Sequence, residues 1–182
     1  MISAIEFCPR HRWMVSRHPR LNFSKGLNAV IGPNGTGKST LLKAIKECAD
    51  CRKTEDNGTA YLYYNSETMN PHRSQDHLKG PLGAKVKVRS QYSSHGETMR
   101  DVLSTLNFKE GDCFLFDEPE GGLDLPWVLK LREGIWTLCR QGCQFIVASH
   151  HPAFWQGEDV RRIELEEGYR EKCRKAFEGF WK

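Results

Sequence analysis

Nine residues constrain this chain more than any other segment: Gly32, Pro33, Asn34, Gly35, Thr36, Gly37, Lys38, Ser39 and Thr40. They follow directly on the apolar run Leu27-Asn28-Ala29-Val30-Ile31 and lead into Leu41, Leu42, Ala44, Ile45 and Cys48. The run predicts a buried strand and the later spacing a helix, so the glycine-rich stretch is the turn between them. A GxxxxGK[ST] pattern in that setting predicts a phosphate cradle. Glycines let backbone N–H groups turn inward onto phosphate oxygens with no Cβ in the way. Lys38 brings a point charge for the β- and γ-phosphates of a nucleoside triphosphate, and Ser39 a hydroxyl for Mg²⁺. The positive end of the following helix faces the same anion.

The rest of the chain suits one domain spanning residues 1–182. Its 38% hydrophobic and 27% charged residues are ordinary for a globular protein with a real core. No apolar stretch approaches a membrane span and the N-terminus has no secretory apolar region, so the expected location is cytoplasmic, without membrane insertion. The formal charge of +4 does not by itself establish a nucleic-acid partner. Basic residues gather at Arg10, Arg12, Arg17 and Arg20, at Lys85, Lys87 and Arg89, and from Arg161 to Lys175, and each group reads as solvated surface. Seven cysteines, an odd and scattered set, argue against a disulfide framework. Cys48 and Cys51 form a CxxC followed by His72 and His77, a zinc-like pattern with an overlong gap; core packing is the favoured reading for Cys48.

Strands are expected at Met1–Phe7, Leu21–Phe23, Leu27–Ile31, Thr59–Tyr64, Cys113–Phe116, Phe145–Ala148 and Val160–Leu165. Helices are expected from Lys38 to about Ala49, over Thr98–Asn107, from Pro126 to about Gln141, and as a basic helix closing the chain. Asp50–Gly58 reads as a polar turn, and Asn65 to about Gly83 as a loop. Strands alternating with helices predict an α/β fold with a largely parallel central sheet, which receives ligands beyond the carboxyl ends of its strands. Lys38, Asp117 and His150 each follow such an end.

Cys113-Phe114-Leu115-Phe116 runs into Asp117-Glu118-Pro119. A buried strand fixes both acids at its end. Asp117 suits Mg²⁺ beside Ser39, and Glu118 suits polarising a water for attack on the γ-phosphate.

With the phosphate loop, these paired acids resemble the ATP-binding-cassette (ABC) ATPases. Three further segments resemble that superfamily's motifs: Ser94-His95-Gly96-Glu97 a shortened signature, Gly122-Leu123-Asp124 the D-loop, and Phe145 to His150 the switch-histidine strand. The resemblance spans residues 1 to 165 and implies a P-loop NTPase fold. It also implies that two copies sandwich ATP and Mg²⁺ head to tail. Ser94 and Gly96 of one copy would cap the γ-phosphate held by the other, Asp124 would signal across the dimer, and His150 would contact the γ-phosphate or position the water. Ser94-x-x-Glu97 is also a helix capping box. His151 is the neighbouring alternative to His150.

The helical region between Tyr64 and Ser94 is reduced relative to transporters. Asn65 or Glu67 stands where a Q-loop glutamine would be. Trp13 is a candidate for adenine stacking, although burial is the favoured reading for it. The chain therefore resembles the compact heads of chromosome-maintenance, recombination-repair and phage-defence ATPases more than transporter subunits. The implied activity is ATP hydrolysis coupled to dimer closure on a DNA or effector-protein partner. The alternatives are an ATP-dependent binding switch and a transporter nucleotide-binding subunit.

Overall fold

A computed structural model of the chain describes residues 1–15, 18–67 and 108–180. Ser94, Gly96, His72, His77 and the helix expected over Thr98–Asn107 lie outside these residues. In chain order the described elements are β1 (Ile2–Glu6), α1 (Pro9–Met14), β2 (Arg20–Asn22), β3 (Leu27–Ile31), α2 (Lys38–Glu47), β4 (Arg52–Glu55), β5 (Tyr61–Asn65), β6 (Cys113–Asp117), α3 (Leu125–Arg140), β7 (Gln144–Ala148), α4 (Pro152–Trp155), β8 (Arg161–Glu164) and α5 (Tyr169–Phe180).

Five strands form one sheet in the order β5-β6-β7-β3-β8, and every neighbouring pair is parallel. This is the expected α/β architecture. Every residue of β3, β6 and β7 is buried, which is why these strands read as unbroken apolar runs. Alternate residues serve opposite faces. Val30, Cys113, Leu115, Ile146 and Ala148 pack with Leu41, Leu42, Ala44 and Ile45 of α2. Leu27, Ala29, Ile31, Phe114, Phe116, Phe145 and Val147 pack with Val128, Leu131 and Ile135 of α3 and with Phe154 and Trp155 of α4. Phe114 and Phe145 stack with ring centroids 4.6 Å apart. Burying each such side chain stabilises the fold by about 1.5–3 kcal/mol.

A second, antiparallel sheet, β2-β1-β4, covers the α2 face. Residues Asp50–Gly58 therefore hold more than the expected turn. The polar strand Arg52–Glu55 pairs with β1, and an edge strand takes its stability from that ladder without an apolar stripe of its own. Buried Gln144 ties the two sheets together: its Nε2 donates to the carbonyls of Ile2 and Ser24, both at 2.8 Å, and its Oε1 accepts from Ile2 N at 2.9 Å. Buried Asn28 uses its amide in the same way, donating to Ser24 O and Phe145 O and accepting from Ser24 N. Adjacent β6, β7 and β3 thus end side by side, bringing the chain beyond each to one edge of the sheet.

Candidate active site

The turn from β3 into α2 is built around glycine. Gly37 has φ +91° and caps α2, and a Cβ there would lie 2.1 Å from the Met14 carbonyl oxygen. Position 37 thus excludes every other residue twice, by backbone conformation and by the approach of α1. Thr36 Oγ1 donates to Pro33 O at 2.9 Å and holds the loop closed. Lys38 is only 6% exposed, and its Nζ donates to Gly32 O at 2.9 Å and Pro33 O at 3.0 Å. Burial pulls its pKa below the ordinary value, and the carboxylates of Glu118, Asp117 and Glu120 pull in the opposite direction.

Asp117, at the end of β6, is 1% exposed. Its Oδ1 accepts from Ser39 Oγ at 2.9 Å, and its Oδ2 accepts from Tyr63 OH and Asn65 Nδ2, each at 3.0 Å. Burial, and then the Asp117 charge, pushes the Tyr63 phenol well above its usual pKa, which keeps it a donor. A hydroxyl and a fixed carboxylate 2.9 Å apart are the hard oxygen donors that Mg²⁺ takes. Asn65, which with Glu67 is expected near the place of a Q-loop glutamine, donates to Asp117 and helps orient it.

Glu118 follows with φ +48°, a positive value at a residue other than glycine. Its N–H donates to Ala148 O at 2.8 Å, so the backbone is pinned to β7 while the side chain turns out of the sheet. Such a conformation costs about 1–3 kcal/mol and gathers at functional sites. The side chain lines a cleft of about 480 Å³ together with Asn34, Gly35, Gly37, Lys38, Ser39 and Thr40. His150 Nε2 lies 3.7 Å from Glu118 Oε1 and has no hydrogen-bond partner among the described residues. Its Nδ1 lies 3.4 Å from Tyr169 OH.

The family described as an AAA domain matches residues 11–101, half of the chain. The chain belongs to that family, among the ABC-type P-loop ATPases. ATP with Mg²⁺ is the ligand pair of such ATPases. Among curated relatives, the zinc import ATP-binding protein ZnuC of Vibrio cholerae is 28% identical over 72% of this chain and 60% of its own length. The ABC transporter ATP-binding protein ARB1 of Saccharomyces cerevisiae is 26% identical over 65% of this chain and 24% of its own. The glutamine transport ATP-binding protein GlnQ of Bacillus subtilis is 24% identical over 85% and 81%. The chain thus spans about 60% and 24% of the first two. A solved dimer of the ATP-binding cassette MJ0796, in a post-hydrolysis state with ADP and Pi, matches with a TM-score of 0.54 at 15% identity, over 81% of this chain and 87% of that one. It shows the same fold.

Other positions in the chain differ from what the sequence predicts or add to it. Trp13, expected to be buried, is 72% exposed and lies with Met14 at the mouth of the cleft. Helix α1 is only six residues long and has no buried face to hold an indole. Of the paired histidines, His151 is committed elsewhere: its Nδ1 accepts from Ala153 N at 3.1 Å and caps α4. Asp124 is exposed and caps α3, accepting from Trp127 N at 3.1 Å.

Glu120 was not singled out by the sequence. Its Oε1 accepts from Ser149 Oγ at 2.7 Å, His150 N at 3.1 Å and His151 N at 3.3 Å. One carboxylate therefore fixes the backbone that aims His150 at Glu118. Glu120→Ala leaves those donors unmatched and lowers stability by about 2 kcal/mol. In differential scanning calorimetry this is a loss of about 4–8 °C in Tm.

Proposed function

We propose that two copies of this chain close head to tail on Mg-ATP and hydrolyse it. One observation carries the reading: the Glu118 carboxylate shares a cleft with Lys38 and Ser39, and His150 stands behind it at 3.7 Å. Backbone N–H groups of Gly35 to Thr40 and the Lys38 amine bind the triphosphate. Ser39 Oγ and the Asp117 carboxylate would hold Mg²⁺, which would supply positive charge to offset that of the phosphates. Glu118 accepts a proton from the attacking water, and His150 orients that water or the γ-phosphate through its unpartnered Nε2. Trp13 stacks on the adenine at the cleft mouth. Ser94 and Gly96 of the second copy cap the γ-phosphate, and Asp124 lies at the dimer seam.

The test is phosphate release by purified protein in Mg-ATP. Two chains per competent site make the specific activity rise with protein concentration until dimers saturate. Release absent at every concentration, with ATP bound, would leave ATP as a binding switch instead.

We read the work done by closure as acting on a DNA or effector-protein partner, in keeping with the short stretch between Tyr64 and Ser94. A transporter partner is the second reading, supported by the names of ZnuC and GlnQ. DNA affinity that falls steeply with salt separates the two. Among the described residues no helix is long and apolar enough to cross a membrane.

A further inference from the structure

Away from the nucleotide cleft, four side chains converge that the proposed reaction does not use. Cys8 follows β1, His11 lies on α1, Cys48 caps the end of α2 and Cys51 precedes β4. Their sulfur and nitrogen atoms all lie within 4.8 Å of one another. His11 Nδ1 is 3.2 Å from Cys8 Sγ and 3.5 Å from Cys51 Sγ. We propose that Cys8, His11, Cys48 and Cys51 bind one zinc ion in a closed tetrahedral site that fastens α1 to the far end of the phosphate-loop helix.

The donor set and the spacing agree with zinc. C-x₂-H and C-x₂-C are two short clips, each placing both ligands on one turn of chain. Zinc bonds of about 2.3 Å to sulfur and 2.0–2.1 Å to nitrogen set tetrahedral ligand atoms about 3.5–3.8 Å apart, near the His11–Cys8 and His11–Cys51 separations of 3.2 and 3.5 Å and inside the 4.8 Å that bounds the whole cluster. Without an ion the cluster is poorly matched. Thiols are weak donors, two of them crowd one imidazole nitrogen, and a disulfide would use two of three sulfurs. His72 and His77, which follow Cys48 and Cys51 in the zinc-like sequence pattern, lie outside the described residues; among the described ones Cys8 and His11 complete the cluster.

The position says what the ion does. Helix α1 has six residues, none of them buried, and its N-cap Cys8 makes no side-chain capping bond. A helix so short has little means of holding itself. Yet its last turn presents Met14 O against Gly37 and sets Trp13 and Met14 at the cleft mouth. A zinc ion bonded to both helices supplies the missing anchor, and binding it adds folding free energy directly.

The experiment is elemental analysis of the full chain purified without chelator, with cobalt substitution as the geometric readout. About one zinc per chain is expected, retained in Cys139→Ser and lost in Cys48→Ser/Cys51→Ser. Cobalt in the same site should give visible bands of tetrahedral intensity and a sulfur-to-metal charge-transfer band. If the double variant does not fold, His11→Cys decides: it should keep one zinc and move the cobalt bands to longer wavelength, because thiolate is the weaker-field ligand. Iron or no metal in the native chain, zinc retained in the double variant, a Cys48–Cys51 disulfide by intact mass, or a cobalt spectrum unchanged in His11→Cys would each overturn the site.

Discussion

Glu118→Gln is expected to lower the steady-state rate of phosphate release by about 10²–10⁴-fold, the range for loss of a general base. The substitution removes one negative charge and one proton acceptor and keeps the shape. The Glu118 backbone is pinned at Ala148 O, and its side chain stands half out in the cleft, so the amide fits with little rearrangement. ATP binding should therefore survive. It should even tighten, because the lost charge faces the γ-phosphate. With binding intact and breakdown blocked, the closed state accumulates. Light scattering in Mg-ATP should show a dimer for the variant where the native chain passes through it only briefly. Single-turnover phosphate release separates a slowed chemical step from a slowed opening. A Glu118→Gln protein that hydrolyses ATP at the native rate would remove the carboxylate from the mechanism.

The parts of this site that were legible in the sequence are those in which chemistry and structure are contiguous. Ile31 runs straight into the glycine turn, and Phe116 into Asp117 and Glu118, so each strand points at its own functional residues. The central sheet was legible for the same reason: strands buried on both faces leave no room for polar residues, and β3, β6 and β7 stand out as short apolar runs. What escaped is held by contacts between distant positions. Glu120 reads as one more acid in a turn, and only folding brings it to Ser149. Strand β4 carries Arg52, Lys53, Thr54 and Glu55, so no periodicity marks it, and its pairing with β1 comes from tertiary register. Pro9, just past the expected strand Met1–Phe7, is the first residue of α1, since proline suits a helix's first turn. That helix, too short to show a pattern, carries both Trp13 and His11. Missing it misplaced the indole and kept Cys8 and His11 out of the reading of Cys48 and Cys51.

Lys38→Ala is expected to abolish measurable nucleotide binding while leaving the fold intact. The amine is 6% exposed and held between the Gly32 and Pro33 carbonyls of its own loop, at 2.9 and 3.0 Å. It sits near Glu118, Asp117 and Glu120, whose carboxylates favour its charged form against burial. Removing it takes the cation from a site that must accept a triphosphate beside carboxylates. A single charge-assisted hydrogen bond contributes about 1.5–3 kcal/mol, so even one lost bond weakens affinity by about 10–150-fold. Here the uncompensated repulsion from the acids adds to that loss. For the native chain, ATP at about 100 times its Kd adds about 2.7 kcal/mol of stability. Lys38→Ala should show no such upward shift in Tm with Mg-ATP, and calorimetric titration should detect no heat. Its Tm without nucleotide should stay within a few degrees of native, because Leu41, Leu42 and Ile45 still anchor α2. A second consequence follows from the depressed amine pKa. As pH rises through that value the amine loses its proton and ATP affinity should fall, reversing on return to neutral pH. Native-like ATP affinity in Lys38→Ala would show that this loop is not where the triphosphate binds.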